Sequence, residues 1–271
     1  MSEILSADYV WHAAIDNILT GGKKIAPRDL CCTELMGHAT CVDMRAPVVT
    51  SPLRKLGYRF MAAEARWILS GRSDLEDPVI KKSLFPYSDD GRFMAGAYGP
   101  EVVAQIPYVV DALMIDRDSR QAVISIWRKN PRYSKDIPCT LSLQFLIRDG
   151  KLHVVASMRS SDLWLGWPYD VFTFTMIAWS IILQVDPALE LGTLILTAGS
   201  MHIYDTNLKQ AYECAAEPVN DGDILAIDRH GIYTPDDLLA CLGSTSACLI
   251  DIKTMNNPFF KRLYELANGK N

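Results

Sequence analysis

Apolar residues recur at helical spacing in some stretches of the chain and alternate with polar ones in others. Residues 9–19 have the pattern of a first helix, stopped by Gly21-Gly22, and 23–29 reads as a basic loop. Ser51-Pro52 has the cap-plus-proline chemistry of a second helix start. Its apolar positions Leu53, Leu56, Phe60, Ala63, Trp67 and Ile68 follow helical spacing as far as Gly71. Residues 73–97 are polar and rich in turn formers (Pro78, Pro86, Asp89-Asp90-Gly91, Gly96), predicting a long loop of the kind that covers a binding site. A helix is predicted over 100–113 and a strand over 121–127. Two alternating runs, 140–147 and 152–158, flank Asp149-Gly150 and predict a hairpin. Further on, 170–185 reads as a core helix, 192–197 as a strand, 204–215 as a helix, and 224–227 and 247–252 as late strands. Helices and strands mix without strict alternation, so the predicted class is α+β, and no linker divides residues 1–271 into more than one domain.

Composition narrows the options. With 271 residues and 49% hydrophobic content the chain can bury a large core. A formal net charge of -5 lacks the footprint of a general nucleic-acid binder, although a local basic pocket for a small anion is compatible with it. The cysteines number seven, an odd count in a chain of this size, which argues against a disulfide framework; no C-x-x-C pair suggests a zinc knuckle, and no metal is expected. A reducing cytoplasm is the simplest setting. The first nine residues carry Glu3 and Asp8 and do not read as a signal peptide, and the apolar run 171–185 is shorter than the roughly 20 residues a membrane span needs.

Most single motifs are weak. Gly21-Gly22-Lys23 lacks the spacing of a phosphate-binding loop, and His12, His38 and His153 stand alone. Cys139 at a strand start is by itself an ordinary small buried residue. Asp170 at a helix start is by itself an ordinary cap. Together, however, Cys139, Arg159, Asp162, Asp170, His202 and Tyr204 supply a thiol, a guanidinium, two carboxylates, an imidazole and a phenol, all at strand or helix ends, where sites are assembled. An arginine near the thiol favours thiolate and suits a phosphate. The set points to a nucleophilic cysteine acting on a phosphorylated small molecule.

The order of these residues resembles a known family. Pro138-Cys139, Gln144-Phe145, Arg159-Ser160-Ser161-Asp162 and Leu165-Gly166-Trp167-Pro168-Tyr169-Asp170 are similar to the P-C-H, Q-F, R-S-x-D and L-G-x-P-F-N motifs of thymidylate synthase. Gly199–Tyr204, written out as Gly199-Ser200-Met201-His202-Ile203-Tyr204, resembles G-D-x-H-x-Y; Glu64-Ala65-Arg66-Trp67-Ile68-Leu69-Ser70-Gly71 resembles E-L-x-W-F-L-x-G; Tyr98-Gly99 and Asp118-Ser119-Arg120 resemble Y-G and D-S-R-R. The resemblance covers roughly residues 10 to 215. It implies a mixed sheet packed by helices, in a homodimer formed through the sheet. Two departures, Asp170 for the uracil-reading Asn and Thr140 for the His after the nucleophile, look like the bacteriophage deoxycytidylate hydroxymethylases.

The resemblance implies catalytic roles for Cys139, Glu64 and Asp170. It implies nucleotide binding by Arg28, Arg159, Ser160, His202 and Tyr204, with Arg120 reaching in from a partner subunit, and folate contacts by Asp162, Gly166 and Tyr98. The expected reaction is transfer of a one-carbon unit from 5,10-methylenetetrahydrofolate to C5 of dCMP, with water capture giving the 5-hydroxymethyl product. The alternatives are reductive methylation to 5-methyl-dCMP, CMP as substrate, a nucleotide- or RNA-binding paralogue without turnover, and an unrelated Cys-His hydrolase. No tryptophan lies between Trp67 and Trp127, which suits water capture, whereas Trp164 and Trp167 are candidates to shield the carbon in another way.

Overall fold

The computed structural model describes residues 5–131, 133–217, 219, 224–247 and 256–269. In chain order the elements are α1 (Ala7–Gly21), β1 (Lys23–Ile25), β2 (Cys32–Asp43), α2 (Tyr58–Leu69), α3 (Pro78–Leu84), α4 (Gly99–Ile115), β3 (Val123–Ser125), β4 (Thr140–Arg148), β5 (Lys151–Met158), β6 (Ser161–Asp162), α5 (Trp167–Val185), β7 (Glu190–Tyr204), α6 (Asp205–Ala216), α7 (Pro235–Ala247) and α8 (Pro258–Ala267). The class is α+β, with helices on a mixed sheet.

The sheet runs β1-β2-β7-β5-β4-β3, with the short β6 also paired to β7. β7 is antiparallel to β2 and parallel to β5 and β6, so it is flanked on both edges. The β4–β5 hairpin closes on Asp149 (φ 50°) and Gly150 (φ 72°), the pair of left-handed residues that a two-residue type I′ turn requires. Along β5, and along β4 after the register shift at Thr140/Ser142, buried and partly exposed residues alternate, because successive side chains point to opposite faces.

Helix α5 runs through the core. It packs on β5 and β7 on one side and on α2, α4 and α7 on the other, which is why its sequence is apolar nearly all round. It is long and apolar enough to cross a membrane by length and composition, but most of it is buried inside the fold. α8 adds Phe259 and Phe260, stacked on Phe172 and Trp179 of α5 at centroid distances of 6.5 and 6.0 Å.

Several expectations are corrected. The second helix begins at Tyr58 rather than at Ser51-Pro52. The Thr50 and Ser51 N–H groups donate to the Asp8 carboxylate at 2.9 and 3.2 Å, and Lys55 turns left-handed (φ 48°), so the chain cannot become helical until after Gly57. The stretch 73–97 is no continuous loop: Asp77 caps α3 by accepting from Val79 N at 2.8 Å, with Pro78 in the first turn. Residues 23–25 form an edge strand instead of a loop. Residues 224–227 form no strand; one backbone bond, Ile227 N to Arg45 O at 2.7 Å, ties them to the body. Of the strand expected over 247–252, positions 248–252 lie outside the described residues, and 247 ends α7.

Candidate active site

The sheet gathers strand ends into one place. Thr140 faces Met158 across the hairpin, so the residues just outside that pair, Cys139 and Arg159, are neighbours. Arg159 N donates to Cys139 O at 2.9 Å. The guanidinium then folds back over the loop before β4, with Nε donating to Pro138 O and Nη2 to Ile137 O, each at 2.9 Å, and Nη2 3.6 Å from Cys139 Sγ. β6 sets Asp162 beside His202, while β2 sets Glu34 opposite His202 and Cys32 opposite Tyr204. His202 and Tyr204 meet edge to face at 5.0 Å. The result is a cavity of about 740 Å³ whose walls include Arg28, Cys139, Arg159, Ser160, His202 and Tyr204. These six side chains come from four separate stretches of sequence.

A smaller chamber of about 140 Å³ adjoins it, lined by Glu64 of α2, Asp170 of α5, Tyr98 at the start of α4, Thr173 and apolar residues. Tyr98 accepts a hydrogen bond from Thr140 N at 3.3 Å, which sets its ring next to the residue after the thiol. Glu64 and Asp170 are half-buried, and the surface they retain is chamber wall.

Burial dominates the electrostatics. It raises Glu64 to about 8, with the Asp170 charge adding to the effect. It raises Asp170 to about 7, with Asp162 contributing. Two carboxyls therefore hold protons close to neutral pH, as acid–base catalysts do. Burial also pushes the Cys139 thiol up; Arg159 and Arg28 oppose this, while Asp170 and Asp136 reinforce it. Arg159 favours thiolate, as its place in the sequence predicts, but burial outweighs it. Burial and the Asp162 carboxylate raise the Tyr204 phenol, and Arg28 works against them. The backbone at Arg28 and Asp29 is left-handed (φ 53° and 62°), an uncommon conformation for non-glycine residues that turns Arg28 toward the cavity.

Among the described residues, two buried polar atoms of cavity-lining side chains have no hydrogen-bond partner: His202 Nδ1 in the larger cavity and Thr173 Oγ1 in the chamber. A ligand with hydroxyl, amino or carbonyl groups can satisfy them.

Three of the expected residues line neither space. Arg120 is exposed on the segment before β3, its carbonyl accepting from Gln144 Nε2 at 2.9 Å. Gly166 caps α5. Asp162 accepts from Trp164 N and Leu165 N through Oδ1, both at 2.9 Å, leaving Oδ2 without a hydrogen-bond partner among the described residues. Trp164 and Trp167 are also absent from the walls. Trp167 is fully buried with its Nε1 on Thr40 Oγ1, and Trp164 packs on Trp11 beneath Arg54. They cannot shield a reacting carbon in the cavity. Isolated His12 and His153 have structural partners, Asp8 O and Thr193 N.

Other wall residues escaped the sequence reading: Glu34, Tyr87, Trp127, Lys135, Asp136 and Ser200. Glu34 accepts from Ser200 Oγ across the β2–β7 pairing, which joins strands remote in sequence. Asp136 stands three residues before Cys139 in the same loop.

A family model described as thymidylate synthase matches residues 86–233. That stretch contains Cys139, Arg159, Asp170, His202 and Tyr204. Glu64 and Arg28 lie outside it, yet both reach the same pair of cavities.

Proposed function

The chain belongs to the thymidylate synthase family, and on that premise we propose that it adds a hydroxymethyl group to C5 of a cytosine nucleotide, dCMP in the first place. Membership makes it a folate-dependent transferase of a one-carbon unit to a nucleotide, with 5,10-methylenetetrahydrofolate as donor. The observation that carries the cytosine reading is a carboxyl, Asp170, in a buried chamber adjoining the cavity of the thiol.

The Cys139 thiolate attacks C6 and makes C5 nucleophilic. Burial favours the protonated thiol, so thiolate forms as the ring brings C6 to the sulfur, with the phosphate held by Arg159, Arg28 and Ser160. Thiolate addition at C6 raises the basicity of cytosine N3. Asp170, which keeps its proton up to about 7, can give it to N3. The resulting carboxylate accepts from both N3–H and the 4-amino group, a match that improves as the adduct forms. A uracil 4-oxo group would face that carboxylate with lone pairs. Glu64, with a value of about 8, organises water and moves the C5 proton. His202, with its unpartnered Nδ1, and Tyr204 suit the sugar hydroxyl.

The donor supplies the carbon at the methylene oxidation level. The residues present fit it: Asp162 keeps Oδ2 for a pterin ring, Tyr98 lines the inner chamber, and Gly166 lies beside the Asp170 carboxylate, 3.6 Å from the place of a Cβ. In this reading Arg120 of a partner subunit completes the phosphate site in a homodimer. Reductive methylation to 5-methyl-dCMP is the second reading. The observation in its favour is that Tyr87 and Trp127 wall the thiol cavity and can screen a carbon from water.

Mass analysis of the product from dCMP, or CMP, with methylenetetrahydrofolate decides between them. A gain of CH2O is expected; a gain of CH2 means methylation, and no product from either nucleotide removes the proposal.

A further inference from the structure

Three residues wall both the thiol cavity and the inner chamber: Leu84, Met94 and Asp136. Two are apolar, so Asp136 is the one charged group described on the partition between Cys139 and the Glu64–Asp170 pair. It is firmly held. Gly96 N donates to Oδ2 at 2.6 Å, and Asp136 N donates to Ser134 Oγ at 3.0 Å. Glycine is needed at position 96 for this close approach, because a Cβ there would meet Asp136 Oδ1 at 2.8 Å and the Asp136 carbonyl oxygen at 2.9 Å. Among the described residues the carboxylate forms no ion pair. The nearby Arg159 donates through Nε to Pro138 O and through Nη2 to Ile137 O, not to Asp136. Oδ1 has no hydrogen-bond partner among the described residues. A half-satisfied carboxylate in a wall is costly to keep unless something that visits the cavity uses it.

The geometry points to Asp136 as a further catalytic residue, the base that orients the water captured by the one-carbon unit and takes its proton. The inference rests on the hydroxymethylation reading. A water lone pair forms the C–O bond to the exocyclic methylene, and the C5=CH2 pair moves into the ring. It returns as the C5=C6 bond while the C6–S bond breaks and Cys139 leaves as thiolate. The water proton goes to Asp136 Oδ1 and then to solvent. No oxidant or reductant is consumed. Glu64 and Asp170 serve the earlier proton transfers, and burial keeps Asp136 basic enough for this one.

The test compares wild type with Asp136→Asn, using C5-tritiated dCMP and methylenetetrahydrofolate. In a single turnover with enzyme in excess, tritium release in the variant should stay within about threefold of wild type, while 5-hydroxymethyl product forms at least tenfold more slowly. A folate-free readout accompanies it: alkylation of Cys139 by iodoacetamide, followed by peptide mass analysis, should speed up in Asp136→Asn because a charge that disfavours thiolate is gone. Gly96→Ala keeps the carboxylate but displaces it. It should show the same split between release and product, and it carries the test if Asp136→Asn does not fold. Unchanged product formation, or equal loss of release and product in a folded variant, overturns the role. If wild type itself releases no tritium, the hydroxymethylation reading fails and this inference falls with it.

Discussion

Asp170 and Glu64 show how burial tunes individual groups. Both carboxyls titrate far above their ordinary range because the chamber around them is protein, not water. Replacing Asp170 with Asn restores a match to a 4-oxo group, so the ratio of kcat/KM for dUMP over dCMP should rise at least about tenfold. An unchanged ratio removes Asp170 from base selection. For Glu64 the sign of the linkage is definite. Between about 4.5, the unfolded value, and about 8, the folded one, the native state holds a proton that the unfolded chain has lost. Wild-type stability therefore falls as pH rises through that window and levels off above it. Glu64→Gln abolishes the penalty. Its melting temperature should exceed wild type at pH 8 and converge toward it near pH 5, while kcat drops about 100-fold or more. Equal melting curves at both pH values would contradict the buried state of the acid.

At the level of elements, the β4–β5 hairpin is the part most completely written in the sequence, since alternation and Asp149-Gly150 specify strands, turn and register together. Gly150 has open space around the position of a Cβ, so Gly150→Ala is penalised by its left-handed backbone alone. It should lower the melting temperature by roughly 2–4 °C, equivalent to about 1 kcal/mol, and leave kcat unaltered because the turn lies at the far end of the strands from Cys139 and Arg159. Other elements were hidden for physical reasons. β2 contains Gly37 at φ 64° and exposes Met36 and Cys41, so its alternation is blurred. The start of α2 depends on Asp8, some forty residues upstream, which no local pattern reveals. The site was legible for the same reason as the hairpin: Cys139, Arg159, Asp170, His202 and Tyr204 sit at the ends of strongly patterned elements. Glu34 and Ser200 were not, because their roles arise from pairing between strands remote in sequence.

For the whole molecule, Arg120 is informative because it is exposed and lines neither cavity in its own chain. If it serves a neighbouring subunit, Arg120→Ala and Cys139→Ser, each inactive alone, should complement when refolded together. Random pairing yields one working site in each mixed dimer, about a quarter of wild-type activity. Mixtures that stay inactive would confine Arg120 to its own chain. The placement of β7 has a further consequence. With strands hydrogen-bonded along both edges, its backbone is securely fastened, and it ends in His202 and Tyr204. Arg28, by contrast, stands on a strained turn beside the edge strand β1. In deuterium labelling, amides of 194–203 should exchange only through global opening, and those of 28–30 through local fluctuation. Adding nucleotide should then slow the second group and barely touch the first, so that recognition is a rigid floor receiving one late-fastening arm.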